Sequence, residues 1–415
     1  MTGFPEAQRA IDAGCAALEI VTVPLAQSLG LVAAQTIVAR EDLIPFARSA
    51  MDGYAVHTGD LATLPVTLPL AGAVYAASAS TEQRHERGTA TAIATGAALP
   101  RGADAVVPFE DVALAPGAIV VSTAVAPDDA IFPPGDDARV GDVLVARGTS
   151  ITPAILGILA AAGEMHVAVH RRPLVTIICG GDELVAIDAR PGHGQIRNSN
   201  ASVVASTLEV FGATVRAVVT IGDDRAVVKA ALADALADSD LVVTTGGASV
   251  GERDYVKAVA RELGVVFAFE TVALRPAKPS AFGRMERAAL VVLPGNPAAA
   301  FVGLHEFVRP AVRALLGHTD VLLPRITAEL VGTIHAKPGR HFAAFAALEA
   351  TPTGLRARPL ENQCSSLTRA VAESCGFIIV PPGEGEYLLG DQIMFDVVDW
   401  SKIRTSSIAE NLYLT

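Results

Sequence analysis

Only four of the 415 residues are cysteine and one is tryptophan, and aromatic side chains make up 5% of the chain. Cys15, Cys179, Cys364 and Cys375 stand far apart with no paired spacing, which argues against a zinc knuckle or a disulfide framework and leaves reduced thiols as the expectation. Basic residues are the minority charge, 32 Lys and Arg against 44 Asp and Glu, for a formal charge of −12. A polyanion such as nucleic acid is therefore disfavoured as the main partner, while a small anion can still find a local basic patch. No apolar run is long enough to span a bilayer. The best, Ile151 to Gly163, carries Pro153 and reads as a buried helix. Glu6 and Asp12 fall among the first apolar residues, against the basic-then-apolar order of a signal peptide. A cytoplasmic protein without membrane association is expected.

What the chain has in quantity is Ala, Val and Leu, which bring the hydrophobic share to 51% and exclude a disordered chain. At roughly 150 residues per domain, the length suggests two to four domains. Residues 1 to 44 read as helical throughout, with Ala10, Cys15, Leu18 and Ile20 apolar and a second stretch from Leu25 to Val38. Between Pro45 and Asp137 short runs such as Val66 to Leu70 and Ala118 to Val125 alternate with Pro and Gly turns, a β-rich unit inserted into a helical one. From Pro173 to Gly317, Leu174–Cys179, Val215–Thr220, Leu241–Thr245, Val265–Phe269 and Ala289–Leu293 alternate with helical patterns. That alternation predicts a doubly wound parallel sheet. After Pro324 the segments Ile326–Ile334, Phe342–Leu348, Phe377–Val380 and Gln392–Val398 predict a C-terminal β domain. The fold class is multidomain α/β. The expected domains are 1–45 with 138–170 (helical), 46–137 (inserted β), 171–320 (α/β) and 321–415 (C-terminal β).

Ligands of an open α/β sheet sit beyond the carboxyl ends of its strands, so the loops there are the informative ones. Cys179-Gly180-Gly181-Asp182-Glu183 reads either as a turn with acidic helix-starting residues or as carboxylates that suit Mg²⁺ beside a phosphate. Thr244-Thr245-Gly246-Gly247-Ala248-Ser249 offers bare amides and a hydroxyl to an anion, with a structural turn as the alternative. Gly194 to Asn200 can cap a helix or hold a heterocycle's edge. Arg275-Pro276-Ala277-Lys278-Pro279-Ser280 fixes two cations on a stiffened loop, and Leu293-Pro294-Gly295-Asn296-Pro297 joins a strand to a helix. The pair His166 and His170 lies on a strand-like segment and reads as structural, and Cys179 as a buried, inert thiol.

Together these loops resemble the molybdopterin molybdenumtransferases, the MoeA-type molybdenum-insertion enzymes related to the E domain of gephyrin. Further matching pieces are Ser49-Ala50-Met51-Asp52-Gly53-Tyr54-Ala55, Thr95-Gly96-Ala97, Pro134-Gly135-Asp136-Asp137 and the Ser366-Leu367 region before Gly376. The resemblance spans essentially the whole chain in the expected order. It implies an elongated homodimer whose cleft sets Asp52, Thr95 and Asp137 of one subunit opposite Glu183, Asp223 and Asp254 of the other.

Chemically, the resemblance implies transfer of molybdate into adenylylated molybdopterin with release of AMP. Gly246, Gly247, Ser249, Arg275, Lys278, Ser280, Pro294 and Pro297 would then bind the substrates, and Glu183, Asp223 and Asp254 would hold Mg²⁺. Protein partners would be the molybdopterin adenylyltransferase and molybdoenzyme acceptors. The alternatives weighed are a molybdopterin adenylyltransferase and a non-catalytic gephyrin-like scaffold. Three departures from the family pattern stand out. Cys179-Gly180-Gly181 replaces a hydroxyl-bearing Ser or Thr with Thr-Gly, and Thr271 stands where a lysine is usual. Arg275 and Ala277 stand for Lys and Gly.

Overall fold

In the structure, a computed structural model, residues 1–76, 84–247 and 255–405 are described. Two compact units emerge: one of residues 1–34, 148–151 and 167–415, the other of residues 35–147 and 152–166. Among the described residues no helix is long and apolar enough to cross a membrane.

The larger unit is built on a six-stranded sheet in the order Thr214–Ile221, Leu174–Gly180, Leu241–Thr245, Ala288–Leu293, Ala281–Met285, Val266–Phe269. The first four strands are parallel, Ala281–Met285 runs against them, and Val266–Phe269 pairs antiparallel with Ala281–Met285. Helices cover both faces, as the alternating sequence pattern requires. On one face Val204 and Leu208 of helix Ser199–Val210 join Val302, Phe307 and Val312 in a common core. On the other, Val228, Leu232 and Leu236 of helix Arg225–Asp238 meet Val256 and Val259. Because the second strand in sequence lies to one side of the first and the third to the other, the sheet switches direction between Leu174–Gly180 and Leu241–Thr245. That switch point is where ligands bind in such sheets.

Behind the sheet the chain forms a C-terminal barrel. Strands His341–Thr351, Gly354–Pro359, Arg325–Leu330, Gln392–Val397 and Gly376–Val380 pair in turn, and the last pairs back to the first. Closure removes the sheet's open edges. The strand Gly354–Pro359 is absent from the expectation because Arg356 and Arg358 alternate with only Leu355 and Ala357, a pattern too short to signal a strand.

The smaller unit carries a six-stranded sheet in the order Ala105–Pro108, Gly53–Val56, Ala90–Ile93, Val66–Val74, Ala118–Val121, Val112–Ala115. Gly53 allows its closest contact: a Cβ there would overlap the carbonyl oxygen of Val107. Helix Pro153–Ala161 forms where the apolar run predicts it, with Pro153 in the first turn and Thr152 Oγ1 accepting the Ile155 amide at 3.3 Å, but it is not the buried helix expected: Leu159 is its one buried residue.

The opening segment corrects the reading of residues 1 to 44 as helical throughout. Only Phe4–Gly14 is α-helix; Ile20–Pro24 is a strand, Leu25–Gln27 one 3₁₀ turn, and Ile37–Val38 a short strand. The β-branched run Ile20-Val21-Thr22-Val23 prefers extended backbone, and Gly30, at φ 73°, interrupts the second stretch.

At the amino ends of the parallel strands, Asp240 is buried and accepts a bidentate pair from Arg171 at 2.6 and 2.8 Å and the Leu174 amide at 2.8 Å. Burial pushes the Asp240 carboxyl up, but the hydrogen bonds from Arg171 and Leu174 outweigh it, and the net direction is downward. Removing the carboxylate leaves the Leu174 amide without its acceptor and Arg171 with Glu19 as its remaining carboxylate partner, so Asp240→Ala is expected to lower unfolding stability by about 2 kcal/mol in urea titration.

Candidate functional site

Three glycine-bearing loops meet at the switch point. A Cβ on Gly246, which sits at φ 83°, would overlap the carbonyl oxygen of Gly180, and a Cβ on Gly295 would lie 3.4 Å from Gly246 Cα. Gly247, at φ 65°, continues the left-handed turn. The loops after the first, third and fourth parallel strands are thus packed backbone against backbone. Beneath them the hydroxyls of Thr244 and Thr245 are buried and find no hydrogen-bond partner among the described residues. Ser249 and Asp254, expected in the anion loop and the metal set, lie outside the described residues.

The acidic side of the site is drawn together by Asp182, read from sequence as one of two loop carboxylates suited to Mg²⁺ and found here in a bracing role. Asp182 Oδ1 accepts the Asp223 amide at 2.9 Å, and the space it occupies is open because Gly222 has no Cβ. Gly181 donates its amide to the Ile221 carbonyl at 3.1 Å. Glu183 and Asp223 therefore stand on adjoining loops, Glu183 exposed and Asp223 half-buried. Among the described residues no group of three or more metal-ligating side chains is gathered.

The amide-rich loop both caps and bridges. Asn198 Oδ1 accepts the Ala201 amide at 3.1 Å while its Nδ2 donates to Thr220 Oγ1 at 3.0 Å. Asn200 Nδ2 donates to the Gly295 carbonyl at 2.8 Å, which binds the 194–200 loop to the 293–297 loop. Ser365 docks on the start of the next helix, accepting from Asn296 Nδ2 at 3.4 Å and, through its carbonyl, from the Ala298 amide at 3.0 Å. Asp182 and Asn200 lie in loops whose sequence already points to ligand chemistry, whereas Ser365 has no such signal; the partners that fix the three lie 41, 95 and 69 residues away.

The cationic loop leaves a two-residue strand, Leu274–Arg275, that pairs with His341 and Phe342 of the barrel. The Arg275 guanidinium lies 5.1 Å from the centre of the Phe342 ring. Beside it opens a cleft of about 510 Å³ whose lining includes Arg275, His335, Lys337 and Arg358 against one acid, Glu361. Lys278 is exposed and Pro297 half-buried, whereas Pro294 is buried and Ser280 fully so, its hydroxyl directed inward near Gly303.

In the smaller unit the matching pieces also converge. Asp52 Oδ1 accepts the Thr95 amide at 2.7 Å and its hydroxyl at 2.9 Å, and Gly96 donates its amide to the Ser49 carbonyl at 2.8 Å. The Thr95 amide, and then its hydroxyl, hold the exposed Asp52 carboxyl below the usual range. Arg48 reaches Asp136 at 3.8 Å and stacks 4.6 Å above Phe132, which fixes the loop bearing the exposed Asp137.

A doubly wound sheet with glycine-opened loops and acidic side chains at its switch point defines an α/β ligand-binding protein. Comparison with known proteins agrees. Residues 2–163 match the model for the MoeA N-terminal region (domain I and II), and residues 176–314 that for a probable molybdopterin binding domain. The chain is 34% identical to molybdopterin molybdenumtransferase 2 of Mycobacterium tuberculosis, covering 82% of this chain and 86% of that protein. It is 32% identical to the molybdopterin molybdenumtransferase of Haemophilus influenzae, covering 90% and 92%. A crystal structure of the molybdopterin biosynthesis moeA protein from Pyrococcus horikoshii OT3 matches with a TM-score of 0.84 at 25% identity, covering 96% of this chain and 100% of the other. The chain belongs to the molybdopterin molybdenumtransferase family.

Two outcomes follow from the geometry. Gly246→Ala meets the Gly180 carbonyl and a left-handed backbone, the latter alone costing about 1–2 kcal/mol, so its melting temperature is expected to fall. Thr95→Val removes one of the two donors to Asp52. Its carboxyl should titrate at higher pH than in the parent, nearer an ordinary aspartate, as followed by NMR of the side-chain carboxyl.

Proposed function

We propose that this chain inserts molybdate into adenylylated molybdopterin, with release of AMP, as a step of molybdenum cofactor biosynthesis. The observation that carries the reading is the meeting of Gly180, Gly246 and Gly295 at the switch point, with Asp182 holding the two acidic loops beside it. Backbone can approach a pterin phosphate closely there, and the amides of Gly246 and Gly247 supply donors that need no side chain. Asn200, by its bond to Gly295, keeps the loop that borders this niche in place.

Molybdate is a substrate and needs cations. Arg275 and Lys278, with Lys337 and Arg358 across the adjoining cleft, are the side chains assigned to it. Ser280 and Pro294 support that loop from inside, their burial leaving Lys278 and Pro297 to face the ligand. Glu183 and Asp223 offer hard carboxylate oxygens of the kind Mg²⁺ takes, and with Asp254 they are the residues assigned to hold it. When bound, the ion would neutralise phosphate charge that these carboxylates otherwise repel. The carboxylates themselves orient the phosphoanhydride and exclude bare anions.

The reading extends to a homodimer in which Asp52, Thr95 and Asp137 face the acidic loops of a second subunit, in a chain of four domains bounded as the sequence suggests. Separate apolar cores for the inserted sheet and the barrel support that division. A cytoplasmic setting, with the adenylyltransferase and molybdoenzyme acceptors as protein partners, belongs to the same proposal.

Adding molybdate to the chain loaded with adenylylated molybdopterin is expected to release AMP in stoichiometric amount, measured by chromatography, with none released when molybdate is omitted. Asp254→Asn should abolish this turnover and leave the melting temperature unchanged. Tight ligand binding with no AMP release would favour a scaffold, and AMP incorporation from ATP into molybdopterin an adenylyltransferase.

A further inference from the structure

Helix Val256–Glu262, which follows strand Leu241–Thr245 and its glycine loop, lies against the stretch of chain that carries Arg275 and Lys278. Lys257 and Arg261 are four residues apart on that helix, hence on one face of it. Both address Glu270: Lys257 Nζ donates to its carbonyl at 2.9 Å, and Arg261 pairs with its carboxylate. The same Nζ donates to the Pro279 carbonyl, also at 2.9 Å. Glu270 and Pro279 bound the loop that holds the two cations, so one ammonium joins its two ends.

No backbone amide reaches either carbonyl among the described residues, and the Lys257 ammonium supplies the donor that each needs. Lys257 is half-buried, where hydrogen bonds from a charged donor are stronger than at the surface. Arg261 is exposed, and an ion pair at the surface contributes little. Within the loop, the Val272 amide donates to the Lys278 carbonyl at 2.9 Å and the Ser280 amide to the Ala277 carbonyl at 3.1 Å. Arg275 is fixed separately, by the pairing of Leu274–Arg275 with the barrel and by the Phe342 ring. Lys278 is exposed, and its backbone is placed by Val272 on one side and by the clamped Pro279 carbonyl on the other.

We propose that Lys257 is a positioning residue for the oxyanion: by closing the loop between Glu270 and Pro279 it sets Lys278 beside Arg275, so that both cations meet one molybdate. The identity of that anion rests on the proposed function. Lys257 acts through the loop and not on the anion itself. Two cations that share an oxyanion must both be in reach at once, because charge-assisted hydrogen bonds are short and directional. A loop released at Pro279 leaves Lys278 free to wander, and binding must then order it again. The cost falls on capture of molybdate. The adenylylated pterin, which meets the glycine loops, is bound as before.

The test compares the full chain with Lys257→Met, which keeps the length of the side chain and removes its donors, and with Arg261→Met on the same helix face. AMP release from adenylylated molybdopterin is followed against the concentration of each substrate. In Lys257→Met the half-saturating molybdate concentration should rise on the order of tenfold, the scale of one hydrogen bond from a charged donor, while that for adenylylated molybdopterin stays within about twofold of the parent. Arg261→Met should match the parent in both. Lys257→Gln, a shorter neutral donor, should lie between the parent and Lys257→Met, and takes the place of the latter if it does not fold. Hydrogen exchange of the ligand-free proteins should quicken across residues 271–280 in Lys257→Met and stay unchanged in Leu174–Gly180 and Leu241–Thr245, which separates release of the loop from unfolding. An unshifted molybdate requirement, equal rises for both substrates, a shift as large in Arg261→Met, or unchanged exchange across 271–280 would each overturn the clamp. A parent that releases no AMP would overturn the proposed function instead, and exchange would still decide whether Lys257 holds the loop.

Discussion

The close approach of Gly246 to the carbonyl of Gly180 governs the ligand site of this molecule. Parallel strands about 4.8 Å apart leave no room for side chains on loops that turn towards each other. Removing the Cβ at the end of the third strand lets the loop fold over the first. With that space gained, the fourth-strand loop can follow through Gly295, Asn200 can reach its carbonyl, and Asp182 can cross to the Asp223 amide. A niche lined by backbone amides results, and amides carry partial positive charge at no cost in net charge. A chain of net charge −12 can thereby expose hydrogen-bond donors at the switch point without a cluster of lysines.

The central sheet was legible in sequence because each parallel strand is rich in Val, Ile, Leu or Thr and is followed by Gly or Pro, even though the edge strand Thr214–Ile221 carries Arg216. Leu241–Thr245 appears with the predicted ends, and the others shift by a residue or two. The glycine loops were legible for the same reason: punctuation after a strand has a conformational meaning. What sequence could not give was pairing across distance. Asp182 reads like any acidic turn residue until the Asp223 amide is placed against it, and Ser365 like any loop serine until Asn296 is. The opening segment misled because Ala and Leu satisfy a helical period whether or not a helix forms. The β-branched residues at 20 to 23 decide for a strand once His166–His170 lies alongside.

Burial also sorts the predicted ligand residues in a way that residue type cannot. Ser280 and Lys278 are two residues apart on one loop, yet one is wholly interior and the other exposed. A hydroxyl held inside beside Gly303 stabilises a turn, whereas an ammonium on the outside remains available to an anion. The same sorting holds for Pro294 and Pro297, the first closing the sheet and the second opening the helix.

The departures from the family pattern acquire distinct physical meanings once placed. Cys179 lies fully buried in the sheet, paired with Thr245 on one side and Thr220 on the other, so a hydroxyl lost at this position is lost from the core and not from a ligand. Gly180 is different: a Cβ there would meet nothing within 4 Å, and the missing side chain leaves open space at the strand end. Ala277 holds φ 88°, a conformation that favours the glycine usual in the family, and the buried loop accepts the strain of the methyl group. Arg275 gains what a lysine would not have. Its planar guanidinium stacks on Phe342, which ties the cation to the barrel and fixes its direction over the cleft. Thr271 is neutral, while Lys337 and Arg358 from the barrel line the same cleft as Arg275, so the positive charge of that cleft comes in part from the barrel.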